Sequence, residues 1–227
     1  MTFSITGRCL DTGMFGVAIT TSSICVGSRC PWARAGVGAI ATQNVTLPSI
    51  GRMVLDAMEQ GQSTQAALDG VISKLSHTEY RQIAVLGKNG PPAIFSGAKT
   101  LGTNSVSIGD HAIAAGNLLK SATLPSVMTD KFHSLPAGSH LANRLLTALE
   151  AGLYEAGGEE GIVHSAALLV VDEQEWPLVD LRVDWDEEDP IKALRKLWAA
   201  YEPEINDYVT RALDPDSAPS YGVPGDE

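Results

Sequence analysis

The sequence predicts an α+β protein in which two β-sheets pack together and helices cover their outer faces. Short runs rich in β-branched and small apolar residues, bounded by Gly, Pro and Asn, are typical of strands. These runs come in blocks, and pairs of amphipathic helical segments separate the blocks. A doubly wound sheet would instead alternate one strand with one helix, so the block order favours stacked layers.

The composition describes a chain with a large apolar core and an acidic surface. Its 227 residues are 44% hydrophobic, enough for a core without metal ions or disulfides as staples. The net charge of −11 disfavours nucleic acid as a partner, because a phosphate backbone would be repelled. No apolar run reaches membrane length and the first residues lack a secretory signal, so we expect no membrane partner and a cytoplasmic location.

Three predicted strands open the chain. Residues 2–9 and 15–22 are expected to pair as a hairpin around the turn at 11–13. After a loop, residues 36–43 are expected to form a third strand of the same sheet. Both faces of these runs are apolar, which suits a sheet that is covered on both sides.

The rest of the chain follows the same block pattern. The expected elements are helices at 48–59 and from Ser63, strands at 80–86, 92–96, 105–108 and 111–117, helices at 125–132 and 139–151, and strands at 164–172 and 177–184. Pro190 begins an amphipathic tail helix, and Pro203 begins another. We therefore divide the chain into a domain at 1–188, a C-terminal helical extension at 189–214 and a disordered tail at 215–227.

Long strings of the sequence resemble a known protein family. The strings are TFSI (2–5), PWARAGVGAIATQ (31–43), YRQIAVL (80–86), GN (116–117), HSAALLVV (164–171) and VDLRVDWDEEDPIKALRKL (179–197). In this order they resemble domain-of-unknown-function family 1028, which is placed by fold in the Ntn-hydrolase (N-terminal nucleophile) superfamily. The resemblance implies a four-layer αββα sandwich of the Ntn-hydrolase type, in agreement with the layers expected from the block pattern.

The resemblance also implies a chemistry. Ntn hydrolases use the first residue of the mature chain, a Thr, Ser or Cys, as nucleophile and its α-amino group as general base. Here the candidate is Thr2, which would become the first residue on removal of Met1. An α-amine titrates near pH 8, so it can accept a hydroxyl proton without special tuning. Ser4, two residues further along the same strand face, is the fallback nucleophile.

Five further residues are candidates for the site. Asn117, in the glycine-asparagine pair that resembles the family's, is expected to stabilise an oxyanion. Arg34 can hold a substrate carboxylate as a bidentate fork, or pair with a surface acid instead. Gln43 and Asn44 end a predicted strand, where their amides can orient a substrate or form turn hydrogen bonds. Arg81 begins another strand and is followed by Gln82, which faces the opposite side, and substrate contact or polar packing between sheets is expected of this pair.

These residues predict a hydrolase of a C–N bond in a small carboxylate-bearing or peptide-like molecule, with two alternatives. One is a catalytically silent, Ntn-like binding module or oligomeric scaffold. The other is a cysteine-dependent hydrolase that uses Cys25 or Cys30. No ligand spacing points to a metal, and no phosphate loop points to a nucleotide, so no cofactor is expected.

The tail helix suggests self-association. Leu197, Trp198 and Tyr201 give it more apolar surface than a free tail tolerates, so it caps the core or forms a subunit contact. A homo-oligomer, most simply a dimer, is the expected state.

Overall fold

Ten strands and six α-helices make up the part of the chain that the computed structural model describes, residues 1–136 and 138–225. The strands are β1 (Thr2–Arg8), β2 (Phe15–Thr21), β3 (Pro31–Arg34), β4 (Gly38–Asn44), β5 (Arg81–Gly87), β6 (Ala93–Ser96), β7 (Ser105–Ile108), β8 (Ala112–Asn117), β9 (Ser165–Val171) and β10 (Val179–Val183). The helices are α1 (Ser49–Glu59), α2 (Thr64–Ile72), α3 (Leu124–Ser134), α4 (Leu141–Tyr154), α5 (Pro190–Tyr201) and α6 (Ile205–Leu213). The mixed α+β class predicted from the sequence is therefore confirmed.

The strands form two antiparallel sheets. The larger sheet has the order β10-β9-β2-β1-β8-β7, and the smaller has the order β3-β4-β5-β6. Strand β1 lies in the interior of the larger sheet, with Thr2 opposite Thr21 on β2 and opposite Asn117 on β8. The start of β1 is therefore held by a strand on each side.

One expectation about the sheets is wrong. The strand at 36–43 was expected beside the first two strands, but β4 belongs to the smaller sheet. After β2, Cys25 takes a left-handed backbone conformation (φ 57°), and a 3-10 turn at Val26–Ser28 follows. These turns carry the chain out of one sheet and into the other.

Small side chains fill the space between the two sheets. This inner core holds Val17 and Ile19 of β2 beside alanines from both sheets: Ala39, Ala41, Ala84, Ala115 and Ala167. Alternation along each strand puts these residues on one face, and their size lets the sheets approach closely.

Helices cover the opposite face of each sheet. Phe3 and Ile5 of β1 point into a core shared with α3, α4 and α5, while Ile40 of β4 and Ile83 of β5 point toward α1 and α2. Because β1 alternates, Thr2, Ser4 and Thr6 face away from Phe3 and toward the smaller sheet. No helix in the described ranges combines the length and apolarity needed to cross a membrane.

The tail helix α5 packs on the larger sheet. Ile191, Leu194 and Trp198 join the outer core, and Trp198 is 2% exposed. Arg195 joins α5 to α4 through an ion pair with Glu150 at 2.7 Å. Trp198 thus caps the core, whereas the predicted dimer and the domain boundaries at 188 and 214 stay predictions.

The segment after α6 was predicted to be disordered. In its described part, Pro215–Ser217 forms a 3-10 turn, and the Arg211 guanidinium lies 4.0 Å from the centre of the Tyr221 ring. Residues 226 and 227 of that prediction lie outside the described residues.

Candidate active site

The space between the sheets changes from apolar to polar at the end where β1 begins. Buried polar side chains from five strands meet there: Thr2, Ser4, Thr21, Gln43, Gln82 and Asn117. All six are at most 5% exposed. Each lies on the inward face of its strand, in step with the alanines and valines of the inner core. A buried cluster of this kind has to satisfy its own hydrogen bonds, and Ser4, Gln43, Gln82 and Asn117 do so largely through one network.

The network runs across the two sheets. Ser4 Oγ donates to Gln43 Oε1 at 2.7 Å, and Gln43 Nε2 donates to Gln82 Oε1 at 2.8 Å. Asn117 Nδ2 donates to the same Gln82 oxygen at 3.0 Å, while Gln82 Nε2 donates to the Gly116 carbonyl at 3.2 Å. Asn117 Oδ1 makes no hydrogen bond within the described part of the chain. This buried acceptor lies on the strand next to Thr2, at the level of Thr2.

The Thr2 hydroxyl lies at the centre of a small group of oxygens. Thr2 Oγ1 donates to the Met1 carbonyl oxygen at 2.5 Å and lies 3.1 Å from Thr21 Oγ1. Thr21 Oγ1 also donates to the Met1 carbonyl. Two hydroxyl groups from neighbouring strands therefore converge on the carbonyl of the Met1–Thr2 peptide bond.

A buried carboxyl group borders this cluster. Glu159 is 1% exposed, follows α4 in the chain and pairs through an isolated β-bridge with Leu119. Burial raises the pKa of the Glu159 carboxyl to about 7, whereas the positive α-amino group of Met1 and the nearby Ser22 amide and hydroxyl lower it. Neither carboxyl oxygen makes a hydrogen bond of good geometry within residues 1–136 and 138–225. A buried carboxyl without hydrogen bonds is costly to ionise unless a cation faces it.

The structure brings Thr2, Ser4, Gln43 and Asn117 together. Asn44 and Arg81 lie at the same end of the smaller sheet, directly opposite each other, but they secure the backbone. Asn44 takes a left-handed conformation (φ 68°), and its side chain donates to the Tyr80 carbonyl at 2.5 Å. Arg81 donates to the Val45 carbonyl. Of the two polar residues that begin β5, Gln82 is the one that faces the other sheet.

Arg34 lies away from this cluster. It shares the helix-facing side of β3 with Trp32 and pairs with Asp56 at 2.7 Å and Glu59 at 2.8 Å, both on α1. Along β4, the partner of Arg34 is Gly38, five residues before Gln43, which corresponds to about 17 Å of strand. The structure therefore separates Arg34 from Thr2 by a sheet face and by the length of a strand.

The cysteines do not resemble activated nucleophiles. Cys30 is buried, and burial raises the pKa of its thiol to about 11, so little thiolate forms at neutral pH. Cys25 lies at the crossing between the sheets and is half-buried. Among the residues that the structure describes, no group of three or more His, Cys, Asp or Glu side chains could hold a metal ion.

Two residues of this cluster were missed by the sequence analysis. Thr21 ends a strand in step with Val17 and Ile19, so its inward orientation follows once the strand is placed. Glu159 has no such signal, because it lies in a polar loop between a helix and a strand, where acids are normally solvated.

Comparisons with known proteins agree on one family. The sequence model of the family of unknown function DUF1028 matches residues 2–194. A crystal structure of a DUF1028 protein from Silicibacter pomeroyi is 31% identical, covers 88% of each chain and superimposes with a TM-score of 0.80. None of the curated proteins matches the chain.

Weaker structural neighbours also occur. Anbu (ancestral beta-subunit) from Yersinia bercovieri is 9% identical with a TM-score of 0.44, over 97% of this chain and all of the other. An Anbu mutant from a Hyphomicrobium strain is 9% identical with a TM-score of 0.43, over 98% and 100%. These likenesses are too low to carry an argument. The family match and the 31% identical crystal structure suffice for the conclusion that the chain belongs to the DUF1028 family.

Proposed function

We propose that the chain is an amide hydrolase of the Ntn type, with Thr2 as nucleophile and a four-layer αββα arrangement of helices and sheets. One observation carries the proposal. Thr2 begins an interior strand, and its hydroxyl sits in a buried polar cluster between the sheets, in hydrogen-bond contact with the carbonyl that precedes it. The order of helices and sheets, with inner and outer cores, supports the same assignment.

The reaction begins once the Met1–Thr2 bond is cleaved. The Thr2 α-amine then accepts the proton of its own hydroxyl, and Oγ1 attacks the substrate carbonyl carbon. The tetrahedral intermediate collapses, the C–N bond breaks and the leaving amine takes that proton. Water hydrolyses the resulting ester by the same route, which regenerates Thr2 and releases an acid. The overall reaction consumes one water for each amide bond.

Thr21 and Asn117 are the proposed partners of this nucleophile. Thr21 Oγ1 already donates to a carbonyl oxygen next to Thr2, which is the role of an oxyanion-hole donor. One hydrogen of the Asn117 amide goes to Gln82, and the second is free to point at the oxyanion. The unpaired Asn117 Oδ1 can also accept a hydrogen bond from the Thr2 amine.

The test starts from an intact mass of the protein expressed from its own start codon. We expect loss of one methionine, followed by hydrolysis of peptide-like amides that Thr2→Ala abolishes and Thr2→Ser partly keeps. Thr123→Ala is the matched control, because Thr123 is exposed and lies outside the cluster. A retained Met1, or a Thr2→Ala protein as active as the unmodified chain, would overturn the proposal.

A catalytically silent binding module is the second candidate. The burial of Thr2, which is 5% exposed, favours it, because Met1 covers the hydroxyl as long as it stays attached. A chain that keeps Met1 and binds ligands without Thr2-dependent turnover would establish this alternative.

A further inference from the structure

Met1 fills a fitted position at the polar end of the two sheets. Its carbonyl oxygen accepts hydrogen bonds from the Thr2 and Thr21 hydroxyls. Its sulfur accepts a hydrogen bond from the Gly161 amide at 3.1 Å. Its positive α-amino group lies in the same region as the buried Glu159 carboxyl and lowers the pKa of that group. The carbonyl and the sulfur of this residue therefore both have hydrogen-bond partners in the fold.

In the fold, the positive α-amino group of Met1 and the polar groups of Ser22 face the Glu159 carboxyl. Its side chain is almost completely buried, and neither oxygen has a hydrogen bond of good geometry in the described ranges. Cleavage of the Met1–Thr2 bond moves the α-amino group of the chain from Met1 to Thr2, so the place that the Met1 amine occupied is left without a cation. A buried carboxyl that no cation faces favours a ligand that brings an ammonium group to the same place.

We propose that the position of Met1 is the acyl subsite of the enzyme, and that the substrate is an α-aminoacyl amide with a free ammonium group. This inference rests on the proposed function, because it takes Thr2 as the nucleophile. The substrate ammonium binds Glu159, its carbonyl oxygen binds the Thr21 hydroxyl and its side chain passes over Gly161. The products are a free amino acid and an amine.

The substrate carbonyl does not coincide with that of Met1. A peptide carbon lies about 1.33 Å from the next nitrogen, whereas a carbonyl poised for attack lies about 3–3.5 Å from the nucleophile. The bound acyl carbon is therefore not bonded to the Thr2 nitrogen, and it lies at attack distance from Thr2 Oγ1 instead. In the attack the Oγ1–C bond forms and the C–N bond breaks, with the proton passing from Oγ1 through the Thr2 amine to the leaving nitrogen.

Gly161 sets the length of the side chain that fits. A Cβ atom on Gly161 would lie 2.5 Å from Met1 Cε and 3.0 Å from Met1 Sδ, so a larger residue there would displace the end of the side chain that occupies the subsite. The backbone of Gly161 lies outside the left-handed region. Its replacement by Ala therefore acts through steric contact of the added methyl group and not through backbone strain. The subsite as it stands takes a long, unbranched side chain such as that of methionine.

The experiment uses protein released from a fusion so that Thr2 is the first residue, as confirmed by mass. L-methionine p-nitroanilide and its N-acetyl derivative are the two substrates, and the dipeptide Met-Ala tests a peptide source of the same acyl group. We expect N-acetylation to lower kcat/KM at least about 10-fold, because it removes the charge that Glu159 binds. Glu159→Gln should lower kcat/KM similarly for the free-amine substrate and leave the acetylated one unchanged.

Two control variants sharpen this result. Glu160→Gln changes an exposed neighbouring acid and should leave kcat/KM for both anilides unchanged. Gly161→Ala should shift preference from the methionine anilide toward the alanine anilide. If the acetylated substrate is cleaved equally well in a Thr2-dependent reaction, the subsite is wrong and the proposed function stands.

A binding measurement tests the subsite in the opposite case, in which the proposed function fails. If no anilide or dipeptide is cleaved, the proposed function fails, and L-methioninamide is titrated into the same protein by calorimetry. Binding that is lost on N-acetylation and in Glu159→Gln would support the subsite on its own. Absence of binding would overturn it.

Discussion

Glu159 buries its carboxyl group beside the α-amino group of Met1, at the end of the interior strand that begins with Thr2. The carboxyl is 1% exposed, so its charge depends on what faces it more than on solvent. Removal of Met1 changes both the cation and the free space at this place. The state of the first peptide bond therefore changes the electrostatic surroundings of Glu159.

The stability of the folded chain should fall as pH rises because of Glu159. Its pKa in the folded chain is about 7 against an ordinary 4.5, so between these values the folded state holds a proton that the unfolded state has lost. The free energy of unfolding should drop by up to about 3 kcal/mol from below pH 4.5 to above pH 7. Urea unfolding at pH 4 and pH 8 measures this.

Glu159→Gln should remove most of that pH dependence, because its amide does not titrate in this range. Glu160→Gln should keep it, since that side chain is exposed. Equal loss of stability in all three proteins would assign the effect to other groups.

Thr21→Val should lower kcat by about 100-fold while leaving the fold intact. Valine keeps the shape of threonine but removes the hydroxyl that donates to the carbonyl beside Thr2. Thr20→Val is the matched control, because the Thr20 hydroxyl instead donates to the Ser165 carbonyl at 2.8 Å. Steady-state kinetics of both variants on the same amide decide the point. An unchanged kcat in Thr21→Val would remove Thr21 from the oxyanion hole.

Gln82→Leu should destabilise the chain by about 3 kcal/mol. The substitution leaves the Gln43 and Asn117 amides without the oxygen that accepts from both, and each unpaired buried donor costs about 1–3 kcal/mol. Gln65→Leu, at an exposed position of α2, should change the free energy of unfolding by less than about 0.5 kcal/mol. Urea unfolding of the two variants gives the comparison, and equal small effects would show that the network adds little.

Arg34→Met should leave kcat/KM unchanged and cost less than about 1 kcal/mol of stability. The guanidinium already holds Asp56 and Glu59 in partly exposed ion pairs, which contribute little. A tenfold or larger rise in KM for a carboxylate-bearing substrate would instead return Arg34 to the substrate site.

Local sequence pattern was sufficient to locate the strands along the chain, but not to predict which strands are neighbours in the sheets. Alternating and apolar runs located β1, β2 and β9 to within one or two residues, because burial on two faces leaves a clear composition. The pairing of β1 with β8 joins residues more than 100 positions apart, and no local signal encodes it. The same holds for β4, whose run resembles that of β2 although it lies in the other sheet.

The site residues also divide into those that the sequence could identify and those whose placement depends on tertiary packing. Thr2 and Asn117 came from family strings, and the structure sets them side by side. Arg34 was chosen for its chemistry alone, and its orientation toward α1 follows from sharing a strand face with Trp32. The burial of Glu159, with Met1 and Ser22 near its carboxyl group, arises from tertiary packing that a loop sequence cannot reveal.

The fitted position of Met1 has a practical consequence for purification. The chain can extend backward from Thr2 only through the place where Met1 contacts Thr21 and Gly161. An affinity tag left on the N-terminus would block the Thr2 amine and crowd the same space. Such a preparation would fold, because the cores lie elsewhere, but the proposed function could not be tested with it, since the Thr2 amine would not be free.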